Sequence, residues 1–202
     1  MPKVTYSARE KEEVKLRLLQ AGLDRFSSEG VKNTRLADIL KEVGISKPFF
    51  YTFFTSKEEF VLHVLNFQTD IIYKSVDREM ARTDLEWKDK LYHLLSHVLG
   101  SCENQPFVMT QEEEVYVFEH LSQAHYHAFQ LGQILFYTHL MAICGIPQGR
   151  LDPKVLANLL LSILLVSNSA VQSMPFLYHD SLSAAAQIQI HTLIDYLDGL
   201  RQ

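Results

Sequence analysis

Around a single glycine, the chain gathers side chains suited to gripping a polyanion rather than to breaking bonds. Ser46, Lys47, Tyr51, Thr52, Thr55 and Lys57 supply hydroxyl and ammonium groups in close succession, and Pro48 and Phe49 lie among them. Hydroxyls and ammonium groups are the usual partners of phosphate oxygens, and a lysine at the leading edge of a helix can also approach guanine O6 and N7. With Thr34 and Arg35 just upstream, the candidate DNA-binding set is Thr34, Arg35, Ser46, Lys47, Pro48, Phe49, Tyr51, Thr52, Thr55 and Lys57.

Such a set needs elements to hold it. Thr34 is placed to cap a short helix whose inward face is Leu36, Ile39, Leu40 and Val43. Gly44 follows, the residue best able to take positive φ and stop a helix sharply. Ile45 then plugs the core beneath the turn, Ser46 caps the next helix, and Pro48 falls in a first turn where its missing N–H costs nothing. Two short helices about a glycine-containing turn, over 34–53, form a helix-turn-helix whose second helix enters a major groove. Lys47, Phe49 and Thr52 are then groove-facing, and Ser46, Tyr51, Thr55 and Lys57 face phosphates. Phe50, Phe53, Phe54 and Phe60 pack the domain's own core. The free N–H groups where the following helix begins, beside Lys57, add an anion site.

The stretch 34–60 resembles the signature of the TetR family of transcriptional regulators. The likeness rests on Thr34, Ala37, Ile39, Gly44, Ile45, Ser46, Tyr51, Phe53, Ser56, Lys57, Glu58 and Phe60, with Ala21, Phe26 and Gly30 in the leading helix. It covers about the first 70 residues. Phe49 and Phe50 depart from it, since many members carry a small or polar residue and then Leu or Ile there. The resemblance implies an all-α protein: a three-helix DNA-binding head, a long connecting helix, and a helical domain for ligand and dimerisation. It also implies a homodimer on a palindromic operator, usually a repressor.

Composition agrees with that division. Residues 1–60 hold 11 Lys and Arg against 9 Asp and Glu, whereas the whole chain carries −5. A mildly basic head on an acidic body suits a small DNA-reading domain attached to a larger one. The hydrophobic share of 47% and charged share of 21% are those of a globular protein. Cys102 and Cys144 have no metal-like spacing and fit a reducing cytoplasm without disulfides. No secretory leader is expected, and the apolar run 155–166 is too short to span a bilayer.

Strand signals are nearly absent, and helix starts recur. Ser7 with Glu10, Ser56 with Glu59 and Thr110 with Glu113 have capping-box form, and Asp152-Pro153 opens another helix. Helices are predicted at 7–28, 34–43, 46–53, 56–81, 84–102, 110–118, 119–144, 153–175 and 181–200. The expected domains are a head at 1–56, a connecting helix at 57–81 and a ligand and dimerisation domain at 82–202. The connecting helix offers Phe60, Val64, Ile71, Val76 and Met80 as its core face.

In the body, the stripe along 119–144 mixes apolar, aromatic and histidine side chains, which suits a mostly apolar pocket with a few polar anchors. Trp87, Leu91, Phe118, His125, Phe129, Phe136 and His139 are the candidate ligand contacts, and ordinary core packing is the competing reading. Leu159, Ile163, Val166, Ile190, Leu193 and Leu197, on the helices at 153–175 and 181–200, are the candidate dimer contacts, with a monomer core as the alternative. Nine histidines raise a metal- or haem-responsive alternative, with His93 and His97 spaced to chelate. His125 and His139 lie about 21 Å apart along one helix and cannot share an ion. No cofactor or metal is expected. Catalytic motifs are missing too: there is no glycine-rich phosphate loop, His-Glu-x-x-His or Gly-x-Ser-x-Gly. Glu112, Glu113 and Glu114 open a helix, where carboxylates complement its dipole. A helical binding protein whose head no longer reads DNA is the remaining alternative.

Overall fold

A computed structural model describes residues 7–99, 106–167 and 178–201. Among these the chain is entirely helical, in the order α1 (Ala8–Glu29), α2 (Leu36–Val43), α3 (Lys47–Phe50), α4 (Lys57–Met80), α5 (Trp87–Leu99), α6 (Gln111–Phe118), α7 (Gln123–Ile143), α8 (Pro153–Ser167) and α9 (Leu182–Arg201). The predicted ends of the helices at 84–102 and 153–175 run beyond the described residues.

The starts follow the capping chemistry. Ser7 Oγ accepts from Glu10 N and Glu10 returns its carboxylate to Ser7 N, and Thr110 and Glu113 repeat the exchange. At α4 the expected box is displaced by one residue. Ser56 Oγ accepts from Glu59 N, but the Glu59 carboxylate takes the N–H and hydroxyl of Thr55 instead of the Ser56 N–H. Thr34 does not cap α2. Arg35 holds the N-cap position without a side-chain bond, because the Thr34 hydroxyl is turned inward onto Gly30 O.

The described residues fall into two compact units, one running to Asp70 and including Phe107–Phe129, the other comprising Ile71–Pro106 and Gln130 onward. These cuts pass within α4 and α7 rather than at 56 and 81, so α6 and the start of α7 are grouped with α1–α3.

The first unit is built on Phe26, Phe50, Phe54 and Phe60, all nearly inaccessible, together with Leu18, Ile39, Val61, Val64, Phe107 and Val117. Their rings meet edge-on or tilted, Phe50 to Phe60 at 5.4 Å and Phe54 to Phe60 at 4.9 Å, the arrangement that aromatic quadrupoles favour.

In the second unit α9 packs on α5 and α8. Trp87 Nε1 donates to Cys144 O at 3.0 Å, and the Arg201 guanidinium lies 4.2 Å over the indole ring. Tyr92 stacks on His191 and donates to Gln187 Oε1. Burial pushes the Cys144 thiol up to about 11, so it packs as an apolar group rather than reacting as a thiolate.

Two expectations about packing are corrected here. Ile71 is exposed rather than part of the core face of α4. Ile163, Ile190, Leu193 and Leu197 are buried in the second unit's own core and cannot be surface contacts for another chain. Their helical period serves a monomer core as well as it would serve an interface.

Candidate nucleic-acid interface

The turn at Gly44 sets the geometry of the interface. Gly44 adopts φ 77° and ψ 35°, and its N–H and that of Ile45 both return to Leu40 O. This left-handed stop closes the end of α2 on the Leu40 carbonyl. The Arg17 guanidinium satisfies a further carbonyl, Val43 O, at 2.6 Å. Ile45 tucks against the core and α3 begins at once, Ser46 Oγ accepting from Phe49 N at 3.4 Å. Phe50 is fully buried and anchors the inner side of α3.

With that side fixed, Lys47, Pro48, Tyr51 and Thr52 are exposed and Phe49 is partly exposed. Phe49 leans edge-on against Phe53, 5.1 Å between centroids. The Thr52 hydroxyl donates to Phe49 O at 2.7 Å, and the Thr55 hydroxyl donates to Glu59. Arg35 and Ser46 are also exposed. The structure therefore brings eight candidate DNA contacts, Ser46, Lys47, Pro48, Phe49, Tyr51, Thr52, Thr55 and Arg35, to the outside of the helix-turn-helix or its flanks.

Thr34 and Lys57 are placed otherwise. Thr34 is 1% exposed, so its hydroxyl is out of reach of a duplex. Lys57 Nζ donates to Val31 O at 2.6 Å and to Thr34 O at 2.8 Å, and it lies 5.7 Å over the Tyr116 ring. Burial lowers its pKa below the usual lysine value, against the opposing pull of Glu58 and Glu113. Two of its three N–H donors thus hold the α1–α2 turn, leaving one for a phosphate.

A residue that the sequence marks only as a helix start completes this turn. The buried Glu113 carboxylate accepts Val31 N through Oε1 at 2.6 Å and Thr110 N through Oε2 at 2.9 Å. The capping box identified Glu113 as a helix start; nothing local encodes its bond to Val31.

The ligand candidates fall into separate groups. Phe118 and Phe129 meet at 5.3 Å in the first unit, where His125 is bonded to Ser122 Oγ. In the second unit Phe136 and His139 flank Tyr73 at 5.1 and 4.6 Å, while Trp87 and Leu91 belong to the core shared with α9. Among the described residues no group of three or more His, Cys, Asp or Glu is placed to hold a metal ion. His93 lies beside Glu79 and Arg82.

Residues 18–64 match the family described as bacterial regulatory proteins, tetR family. The chain is 30% identical over 107 residues to an uncharacterized HTH-type transcriptional regulator, YuxN, of Bacillus subtilis (strain 168). That match spans 52% of this chain and 35% of the relative, so only about a third of the relative's length is represented. Among solved structures, a TetR transcriptional regulator from Chloroflexus aurantiacus J-10-FL superposes with a TM-score of 0.57 at 17% identity, covering 93% of this chain and 96% of that one. The reduced form of E. coli NemR gives 0.56 at 14% identity with the same coverage. At these identities the structures establish a shared fold.

Proposed function

We propose that this chain, which belongs to the tetR family of bacterial regulatory proteins through its helix-turn-helix head, is a cytoplasmic transcriptional repressor that binds a palindromic operator as a homodimer and is released by a small, mostly apolar effector. The observation that supports it best is the Gly44 turn, which buries Phe50 while leaving Lys47, Pro48, Tyr51 and Thr52 outside. A short helix presented by its leading edge is the element that enters a major groove. The family is one of regulators, not enzymes, and no helix among the described residues is long and apolar enough to cross a membrane.

Dimerisation is assigned to the outward face of α8 and α9. Val155, Leu159, Leu165, Ile188 and Tyr196 are exposed there, and Val166 is partly so. These replace the buried Ile163, Ile190, Leu193 and Leu197 as contacts. The effector assignment rests on the aromatic and histidine side chains of α7. A ligand acts by binding one state of the dimer more tightly, and it shifts the equilibrium by that difference alone.

A gel shift with DNA from upstream of the gene, at two salt concentrations, tests the reading. Binding should weaken steeply as salt rises, because phosphate contacts release counterions. Binding indifferent to salt, or none with any duplex, contradicts it.

A further inference from the structure

The exposed edge of α3 is poor in free hydrogen-bonding groups. The Thr52 hydroxyl spends its proton on Phe49 O, and Ser46 Oγ is occupied by Phe49 N. Ser46 keeps its own O–H, so the outward donors on this edge are the Lys47 ammonium and the Ser46 and Tyr51 hydroxyls, and the Pro48, Phe49 and Thr52 side chains share the edge with them. Phe49 is held in place by its edge-on contact with Phe53 and by packing against the core beneath.

Every base presents donors or acceptors in the major groove, and only thymine adds an apolar group there, its C5-methyl. An apolar edge pressed against the exocyclic groups of adenine, guanine or cytosine strips water from them without replacing the hydrogen bonds, which is costly. Resting on the DNA-binding reading above, we infer that Phe49, with Pro48 and Thr52, makes this protein a reader of pyrimidine C5-methyl groups, so that each operator half-site holds a thymine against this edge. Phe49 is then the specificity-determining residue, and Lys47 and Tyr51 supply the polar contacts beside it. In unmodified DNA the methyl is thymine's; 5-methylcytosine carries the same group.

The test uses the full chain. A duplex selected from random sequence is resynthesised with each thymine replaced singly by deoxyuridine, which deletes only the methyl. One thymine in each half-site should lose about fourfold in affinity, the factor expected from one buried methyl-sized group. At that position 5-methylcytosine should bind better than cytosine by a similar factor. Phe49→Ala, checked for an unchanged melting temperature, should bind the thymine and uracil duplexes alike. The uracil scan needs no variant, so it decides the matter even if Phe49→Ala fails to fold. Specific binding that no uracil substitution alters, or equal binding of cytosine and 5-methylcytosine, overturns this inference alone. A selection that enriches no sequence overturns the DNA reading and this inference with it.

Discussion

The Glu113 carboxylate accepts the Val31 N–H at 2.6 Å, joining residues 82 positions apart inside the first unit. Glu113 simultaneously caps its own helix through Thr110, and Lys57 holds Val31 O and Thr34 O. The turn leading into α2 is thus gripped at its N–H by α6 and at its carbonyls by α4. Glu113→Ala would leave a buried N–H unpaired, which costs about 1–3 kcal/mol. Urea denaturation should show that loss. Glu112→Ala, at a side chain 82% exposed, should stay within about 0.5 kcal/mol.

The two glycines that flank α2 should respond differently to alanine. Gly44, at φ 77° and ψ 35°, is in the left-handed helical region, which an L side chain adopts at a cost of about 1 kcal/mol, whereas Gly30, at φ 77° and ψ 162°, is in a region that essentially only glycine adopts. At Gly44 a Cβ meets nothing within 4 Å, so Gly44→Ala should cost little beyond that strain. At Gly30 a Cβ would stand 2.6 Å from Glu113 Oε1 and push the carboxylate off Val31 N. Gly30→Ala should therefore be clearly the less stable, and in Glu113→Ala the gap between the two substitutions should shrink. Thermal denaturation of the four variants checks this.

What the sequence could and could not convey follows from the range of each interaction. The helix-turn-helix was legible because Gly44, Ser46 and Pro48 act within one turn of chain, and each has a conformational role of its own. The Ser7 and Thr110 capping boxes were legible for the same reason. The bonds of Glu113 to Val31 and of Lys57 to the turn were not, because no local spacing encodes contacts over such separations. Thr34 shows the converse error: a hydroxyl before a helix reads as a cap, but here it is turned inward to donate to Gly30 O, and Arg35 takes the cap position. The period of α9 was plain, yet it could not tell Ile190 in the core from Ile188 outside.

Lys57 and Lys47 should separate on mutation. Lys57→Ala removes the grip on the turn as well as any phosphate contact, so it should lower the melting temperature and weaken binding to all duplexes together. Lys47 is exposed, and Lys47→Ala should leave stability within about 0.5 kcal/mol while changing the ranking of operator sequences. Melting curves alongside binding to several duplexes distinguish the two. Equal loss of stability in both variants would refute the division of roles.

Acid should weaken the first unit through His63. Burial, with Lys15 adding to it and Glu59 opposing, holds the His63 pKa below its ordinary 6.5. In the window between the lowered value and 6.5 the unfolded chain binds the proton and the folded one does not, so stability falls as pH drops. His63→Gln removes that proton uptake. The variant should lose less stability than the wild type on going from neutral pH to about 5.5, read from urea midpoints at each pH; parallel losses would dismiss His63 as the source.

Neighbouring isoleucines on α9 should separate folding from assembly. Ile190 is 0% exposed, and Ile190→Ala should cost about 2–5 kcal/mol from lost burial and the cavity left behind. Ile188 is 67% exposed, so a charge there disturbs no packing within the chain. If the outward face of α8 and α9 joins two copies, Ile188→Glu places like charges close to the two-fold axis and strips them of water. The variant should keep its helical circular dichroism yet sediment as a monomer, and Leu159→Glu on α8 should do the same. Because two half-sites are read together only by a dimer, both should also lose affinity for a palindromic duplex far more than for one half-site. Sedimentation of either variant as an unchanged dimer would move the interface off this face.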